Sequence, residues 1–182
     1  MKKRNLLATV CFLVLFSFNA MAQTTEIKPA NPADVGSIDA IMKAVYDVIS
    51  GDAGKPRDWD RFRSLFYKDA RLIPSGKNAQ TGIIGARALS PEDYVKRVEP
   101  VFAKDGFYER EKARRVEVYG NIAQVFSTYE SFRSLSDKKP FMRGINSFQL
   151  LNDGQRWWVI TIFWQAETPE NPIPKKYLKS KK

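Results

Sequence analysis

Apolar residues recur at helical spacing through the first half of the chain and at alternate positions through most of the second half. The helical spacing begins at Ile38, directly after Ser37, and runs to Ile49, which predicts a first helix with Ser37 as its N-cap. A second predicted helix is capped by Asp58 and has its apolar positions between Trp59 and Phe66. The N-terminal half is therefore predicted to be mainly helical.

A third helix is predicted after Ser90. The run Ser90-Pro91-Glu92-Asp93 supplies an N-cap, a proline at the first helical position and an acid that closes a capping box. Pro100 is expected to kink or end this helix, and Gly106 to terminate it. Before it, residues 69–74 predict a short strand and the polar residues 75–89 predict a loop.

From Phe107 onward the period changes to two, and the runs predict four strands: 113–119, 122–133, 143–151 and 156–165. Asp153-Gly154 between the last two runs is a strong hairpin signal. Strands joined consecutively in this way form an antiparallel meander, and helices followed by such a sheet indicate an α+β domain.

The last hairpin has two faces, and neither is polar enough to lie bare in water. If Leu150 pairs with Trp157, one face contains Asn146, Thr161 and Phe163 together with several apolar residues. One face is expected to pack against the helices and the other to need a partner. The pattern therefore predicts a homodimer formed through the outer face of the sheet.

The first 22 residues are predicted to be a secretory signal peptide. They contain a basic start, an apolar run over 6–18 and the small-residue sequence Ala20-Met21-Ala22, so cleavage is expected after Ala22. The apolar run is too short for a membrane span, and no stable membrane anchor is expected after cleavage. The predicted location is periplasmic or secreted; an uncleaved N-terminal anchor is the alternative.

The rest of the chain is divided by composition alone. The predicted parts are a flexible lead-in at 23–36, one domain at 37–168 and a Pro/Lys-rich tail at 169–182. The formal charge of the whole chain is +10, part of which lies in the tail. A basic tail can touch polyanions, but it is more often a solvated end, and export argues against a nucleic-acid partner.

The chain contains no histidine, and its single cysteine, Cys11, lies inside the signal peptide. These absences exclude a histidine-dependent nucleophile, a Cys/His zinc site and a disulfide in the mature chain. We therefore predict no metal ion and no cofactor. Any catalysis would have to use carboxylate, Tyr, Lys or Arg side chains.

The order of these elements resembles the nuclear transport factor 2-like superfamily, and within it the SnoaL-like bacterial branch. The segments that carry the resemblance are Asp58-Trp59-x-x-Phe62-x-x-Leu65-Phe66, Asp69-Ala70-Arg71-Leu72, Gly144–Leu150, Asp153-Gly154-x-Arg156-Trp157-Trp158, Trp164-Gln165 and Asn171–Pro174. The resemblance implies a cone-shaped α+β fold, in which N-terminal helices pack on a curved antiparallel sheet around an apolar pocket. Enzymes and non-catalytic binding or dimerisation modules share this fold, so it leaves the activity open.

Polar and aromatic side chains within the apolar elements are the candidate ligand-binding residues: Tyr46, Trp59, Tyr129, Asn146, Thr161 and Phe163. In a cone such groups orient a ligand, but they can equally occupy the core or a dimer face. No residue is predicted to be catalytic. Glu130 is expected to be a surface carboxylate paired with an arginine, because neighbouring strand residues such as Tyr129 and Glu130 point to opposite faces.

Three functions remain open at this point. The first is an exported protein that binds a small apolar or amphipathic molecule in the cone without catalysis, which the lack of a recognisable catalytic constellation favours. The second is a carboxylate-based enzyme of the isomerase, cyclase or epoxide-hydrolase type. The third is a ligand-free dimerisation module of the cell envelope. A buried carboxylate near an Arg or Tyr would favour the second function.

Overall fold

The computed structural model describes residues 29–180, so the predicted signal peptide lies outside the described residues. The helices are α1 (Pro32–Val35), α2 (Ile38–Ile49), α3 (Trp59–Ser64) and α4 (Pro91–Lys104). The strands are β1 (Phe66–Lys77), β2 (Ile84–Ala86), β3 (Tyr108–Tyr119), β4 (Ile122–Phe132), β5 (Met142–Asn152) and β6 (Trp157–Ala166). None of the helices between residues 29 and 180 has the length and apolar composition needed to span a membrane.

The helices begin where the sequence predicts. The Ser37 hydroxyl accepts a hydrogen bond from the backbone N–H of Ala40 at the start of α2, and Asp58 caps α3 through the N–H of Arg61. Ser90 and Asp93 form the expected capping box at α4. Pro100 does not end α4, which continues to Lys104. The N–H that proline lacks would have bonded to the carbonyl of Lys96, and both positions are exposed, so water can solvate that carbonyl.

The six strands form one sheet in the order β2-β1-β6-β5-β4-β3. The meander from β3 to β6 is antiparallel, as predicted, and the α+β fold class is confirmed. The sheet as a whole is mixed, however, because β1 runs parallel to β6. The predicted loop at 75–89 is partly wrong: β1 extends to Lys77 and forms a small hairpin with β2.

The core lies between the helices and the inner face of the sheet. Ile41 and Met42 on α2, Phe62 on α3, and Val125 and Phe148 on the sheet are almost completely buried. Each is an apolar side chain, and the three on the helices lie at positions that the hydrophobic pattern assigns to an apolar stripe. Burial of this kind contributes roughly 1.5–3 kcal/mol for each large side chain.

The C-terminal segment packs against the outer face of the sheet. The Tyr177 ring packs edge-on against Phe126 with ring centroids 5.0 Å apart, and the Thr128 hydroxyl donates to the Tyr177 carbonyl oxygen at 2.6 Å. The tail is therefore packed on the domain at Tyr177 and is not simply a solvated end. Isolated aromatic and hydroxyl residues carry no periodicity, so the contact leaves no pattern in the sequence.

Candidate functional site

A cavity of about 190 Å³ lies between the helices and the inner face of the sheet. Its walls are mainly aromatic and aliphatic. The lining residues are Val45, Ile49, Phe62, Leu72, Tyr94, Val98, Phe102, Phe107, Glu109, Tyr129, Met142, Asn146, Phe148, Ile162 and Trp164. Only four of them carry a side chain with an oxygen atom, and Glu109 is the only one with a carboxyl group.

Glu109 reaches the cavity from β3. Its carboxyl oxygens accept hydrogen bonds from the Ser131 hydroxyl at 3.0 Å and from the Asn146 side-chain amide at 3.3 Å. None of the described residues that line the cavity is Lys or Arg. Burial raises the pKa of Glu109 to about 7, although the bonds from Ser131 and Asn146 act in the opposite direction. The group can therefore change charge near neutral pH.

Tyr129 reaches the same cavity from β4 and is almost fully buried. Its hydroxyl has no hydrogen-bond partner among the described residues. Its ring crosses Gly144 on the neighbouring strand, where a Cβ atom would collide with it. Burial and the nearby charge of Glu109 both raise the pKa of Tyr129, so the hydroxyl stays protonated. A buried hydroxyl without a partner is rare and costly, and a ligand could supply the missing partner.

Asn146 connects Glu109 to a second polar group. Its amide donates to the Tyr46 hydroxyl at 3.1 Å as well as to Glu109. Tyr46 in turn is bonded to the Ser127 hydroxyl at 2.8 Å, and Ser127 donates to Glu111 at 2.6 Å. A continuous hydrogen-bonded network therefore holds the Asn146 side chain beside Glu109.

The structure brings three of the predicted residues together. Tyr129 and Asn146 line the cavity, and Tyr46 lies directly behind Asn146. Trp59 is outside the lining: its ring stacks on Phe102, and its indole N–H donates to Glu99 at 3.0 Å. Trp59 thus supports a wall of the cavity.

Thr161 and Phe163 lie on the other face of the sheet, so the predicted facing is wrong. Leu150 pairs with Val159 and not with Trp157, and the register shifts between Gln149 and Leu150. This bulge inserts one extra residue in β6 and reverses the facing of every residue after it. As a result Ile162 and Trp164 face inward, while Phe163 lines an outer groove.

Sequence reasoning missed Glu109 because the predicted strand began at Ala113. The observed β3 starts five residues earlier and contains a bulge between Glu111 and Ala113, which breaks the alternation. Glu130 is paired with an arginine as predicted, with Arg110 at 3.5 Å, but it is buried and not at the surface. The available signal was that Phe107, Glu109 and Glu111 alternate ahead of the predicted strand.

A larger and more open groove of about 550 Å³ lies between the start of α4 and β6. Its main charged groups already have partners. Arg63 pairs with Glu92 at 2.8 Å, and Arg156 donates to the Ser64 carbonyl oxygen while its guanidinium lies over the Trp158 ring. The smaller cavity is the better candidate site because Tyr129 and Asn146 are buried there and the Tyr129 hydroxyl has no partner among the described residues. Among residues 29–180, no cluster of His, Cys, Asp or Glu could hold a metal ion.

Solved structures of other proteins share this fold. An NTF-2 like protein of unknown function from Silicibacter pomeroyi DSS-3 is 14% identical and covers 72% of this chain and 94% of its own, with a TM-score of 0.50. A candidate aromatic ring hydroxylase from Novosphingobium aromaticivorans is 15% identical and covers 72% of this chain and 87% of its own, with a TM-score of 0.51. No protein-family model and no curated protein matches the chain. The chain has a nuclear transport factor 2-like fold, and identities this low show the fold alone.

Proposed function

We propose that this nuclear transport factor 2-like domain binds a small, largely apolar molecule in the inner cavity. The observation that carries the proposal is a cavity of about 190 Å³ with apolar walls and a few convergent polar groups at Glu109, Tyr129 and Asn146. Binding sites for small molecules have this composition, with apolar walls for affinity and few polar groups for orientation.

The size of the cavity limits the ligand. Drug-sized molecules occupy pockets of roughly 300–1,000 Å³, which is more than this cavity offers. The ligand is therefore about as large as one aromatic ring with a short substituent. Its polar end lies against Glu109 and Tyr129. Glu109 can gain or lose a proton near neutral pH, and the Tyr129 hydroxyl lacks a hydrogen-bond partner among the described residues.

Native mass spectrometry of the protein purified from the cells that naturally make it tests this proposal. We expect a bound small molecule that is lost in Val98→Phe, since the larger side chain enters the cavity from α4. Val101→Phe is the matched control, because Val101 lies on the same helix, is 48% exposed and does not line the cavity. A molecule that stays bound to Val98→Phe as firmly as to the control would contradict the cavity as its site.

Export and self-association are part of the same proposal. Supporting the dimer, the outer face carries an uncharged strip formed by Ile73, Ile145, Ser147 and Phe163, of which Phe163 is 45% exposed. A strip without charge can pack against a second copy of itself around a two-fold axis. The same mass spectrum measures both the mass of the chain and the oligomeric state. We expect a chain that begins at Gln23 and a dimer. An intact N-terminus would contradict cleavage after Ala22, and a monomer at micromolar concentration would contradict the dimer.

A second candidate function is proton transfer to or from the bound molecule. The specific observation that favours it is Glu109, a cavity carboxyl whose pKa is raised to about 7, beside the unpartnered hydroxyl of Tyr129. A group that titrates near the working pH is suited to accept and return a proton, and a positioned acid or base typically contributes about 10²–10⁴-fold in rate. The hydroxyl could donate to an oxygen that becomes negative during the transfer.

Ring opening of 5-nitrobenzisoxazole, which begins with removal of a carbon-bound proton, tests this candidate. We expect the rate to rise with pH around a midpoint near 7, because only the ionised Glu109 is a base. Glu109→Gln should lower the rate about a hundredfold, whereas Glu117→Gln, at an exposed position of the same strand, should leave it unchanged. Equal rates in both variants would exclude Glu109 as the base.

A further inference from the structure

We infer that the cavity takes a small organic cation, an amine whose ammonium group pairs with the Glu109 carboxylate and whose apolar body lies against the aromatic walls. This inference rests on the proposed binding function and names the chemical class of the ligand. It is argued from the direction of the hydrogen bonds around Glu109, from the absence of a counter-ion in the lining and from the composition of the walls.

The donor and acceptor of each hydrogen bond in this network can be assigned by starting from Glu111. This carboxylate is ion-paired with Arg114, whose guanidinium donates to it at 2.7 Å, and it can only accept. The Ser127 hydroxyl must therefore use its single proton toward Glu111. Because that proton is committed, Ser127 accepts from the Tyr46 hydroxyl 2.8 Å away.

The same reasoning fixes the orientation of Asn146. Since the Tyr46 proton points toward Ser127, Tyr46 can only accept from Asn146, so the amide nitrogen of Asn146 lies on the side of Tyr46 and Glu109. Glu109 thus faces an N–H of Asn146, and the Ser131 hydroxyl completes its environment as a second donor. Two donors directed at one carboxyl group favour its ionised form.

An ionised Glu109 has no counter-ion in the cavity. The described lining residues include no Lys or Arg, and the titratable groups that face Glu109 are Tyr46 from α2, Tyr94 from α4 and Tyr129 from β4. Burial raises the pKa of each of these tyrosines, so all three stay neutral. On β5 the side chain that faces Glu109 is Asn146, which carries no charge. A carboxylate largely removed from water and without a counter-ion is unfavourable, and a ligand cation would supply the missing charge.

The walls suit the rest of such a ligand. The faces and edges of Tyr94, Phe102, Phe107 and Trp164 surround the cavity, with Phe102 and Phe107 stacked at 4.9 Å between ring centroids. Aromatic rings attract ammonium groups as well as apolar surface, and the attraction increases when water is excluded. The unpartnered Tyr129 oxygen can accept a hydrogen bond from an ammonium N–H.

A comparison of two probes of equal size tests the inference. We would measure binding of 2-phenylethylamine and of 2-phenylethanol by calorimetry at pH 8.0 and pH 5.5, where the amine stays protonated. With a pKa of about 7 for Glu109, the ionised fraction falls about thirtyfold between the two pH values, and amine affinity should fall by about that factor. Alcohol affinity should change much less, and at pH 8.0 the amine should bind at least about tenfold more tightly.

Variants assign the effect to Glu109. In Glu109→Gln the affinities for amine and alcohol at pH 8.0 should converge, whereas Glu117→Gln should keep the wild-type difference; circular dichroism would check that both variants are folded. If the alcohol binds as tightly as the amine at pH 8.0, the amine inference is overturned and the proposed binding function stands. If neither probe binds, the amine inference is overturned together with the use of this cavity for ligands of single-ring size.

Discussion

Replacement of Gly144 by alanine is expected to destabilise the domain by about 3 kcal/mol, at the upper end of the usual cost of overpacking. Gly144 lies in β5 directly opposite Tyr129 of β4, and the Tyr129 ring lies over it. An added Cβ would collide with the Tyr129 hydroxyl and ring and with the backbone carbonyl oxygen of Gln165. The carbonyl belongs to β6, next to β5 in the sheet, so it cannot move without disturbing the pairing.

Equilibrium unfolding in urea would measure this loss. Gly85→Ala is the matched control, since Gly85 is exposed on β2 and a Cβ there meets nothing within 4 Å. We expect the control to change the free energy of unfolding by less than about 0.5 kcal/mol. The crossing of Tyr129 over Gly144 would be disproved if both variants unfolded at the same urea concentration. Ligand binding by any folded Gly144→Ala protein should also be weakened, because Tyr129 would be displaced from the cavity wall.

Replacement of Glu109 by glutamine is expected to stabilise the protein by about 2 kcal/mol at pH 8 and to destabilise it by about 1 kcal/mol near pH 4. The pKa of Glu109 is about 7 in the folded protein and near 4.5 in the unfolded chain, so the folded state binds the proton more tightly. Between these values the folded protein holds more protons, and its stability falls as pH rises. The shift corresponds to about 3 kcal/mol. Glutamine gives less than this because its own N–H groups face the donors Ser131 and Asn146.

The measurement is the difference in free energy of unfolding between Glu109→Gln and wild type, followed from pH 4 to pH 8. Taking the difference removes the opposite contribution of Asp34, Glu92 and Asp153, whose pKa values are lowered by their hydrogen bonds. Glu117→Gln, at an exposed position, should give a flat difference over the same range. A flat difference for Glu109→Gln as well would show that the carboxyl is not desolvated in the folded protein.

Local signals predicted the elements well. The caps at Ser37, Asp58 and Ser90 and the alternation along the last strands are short-range features, and each element they predict is present. The parallel pairing of β1 with β6 could not be predicted in this way, because it depends on how distant segments pack. Pattern alone therefore predicts the elements and their order more reliably than it predicts which strands lie side by side in the sheet.

The candidate site was harder to predict because bulges in β3 and β6 change which side chains face inward. Tyr129 and Asn146 were found because they interrupt apolar strands at positions without a bulge. Glu109 was missed because the strand was predicted to begin only at Ala113, beyond the bulge in β3, and Thr161 and Phe163 were given the wrong face because both follow the bulge in β6. One extra residue in a strand reverses the facing of all that follow, and nothing in the hydrophobic pattern of β3 or β6 marks where it is inserted.

The parallel pairing of β1 with β6 has a consequence for the order in which the chain folds. It joins Phe66 to Val159, 93 positions later in the chain, and it connects the β1–β2 hairpin to the rest of the sheet. Pairings between such distant segments are slow to form, because loop closure costs entropy before the contact is gained. The sheet therefore cannot be completed until β6 has been synthesised, so shortened chains that end before Trp157 should remain unfolded. This late completion keeps the sheet open until the chain is nearly fully synthesised, a state that the proposed export would require.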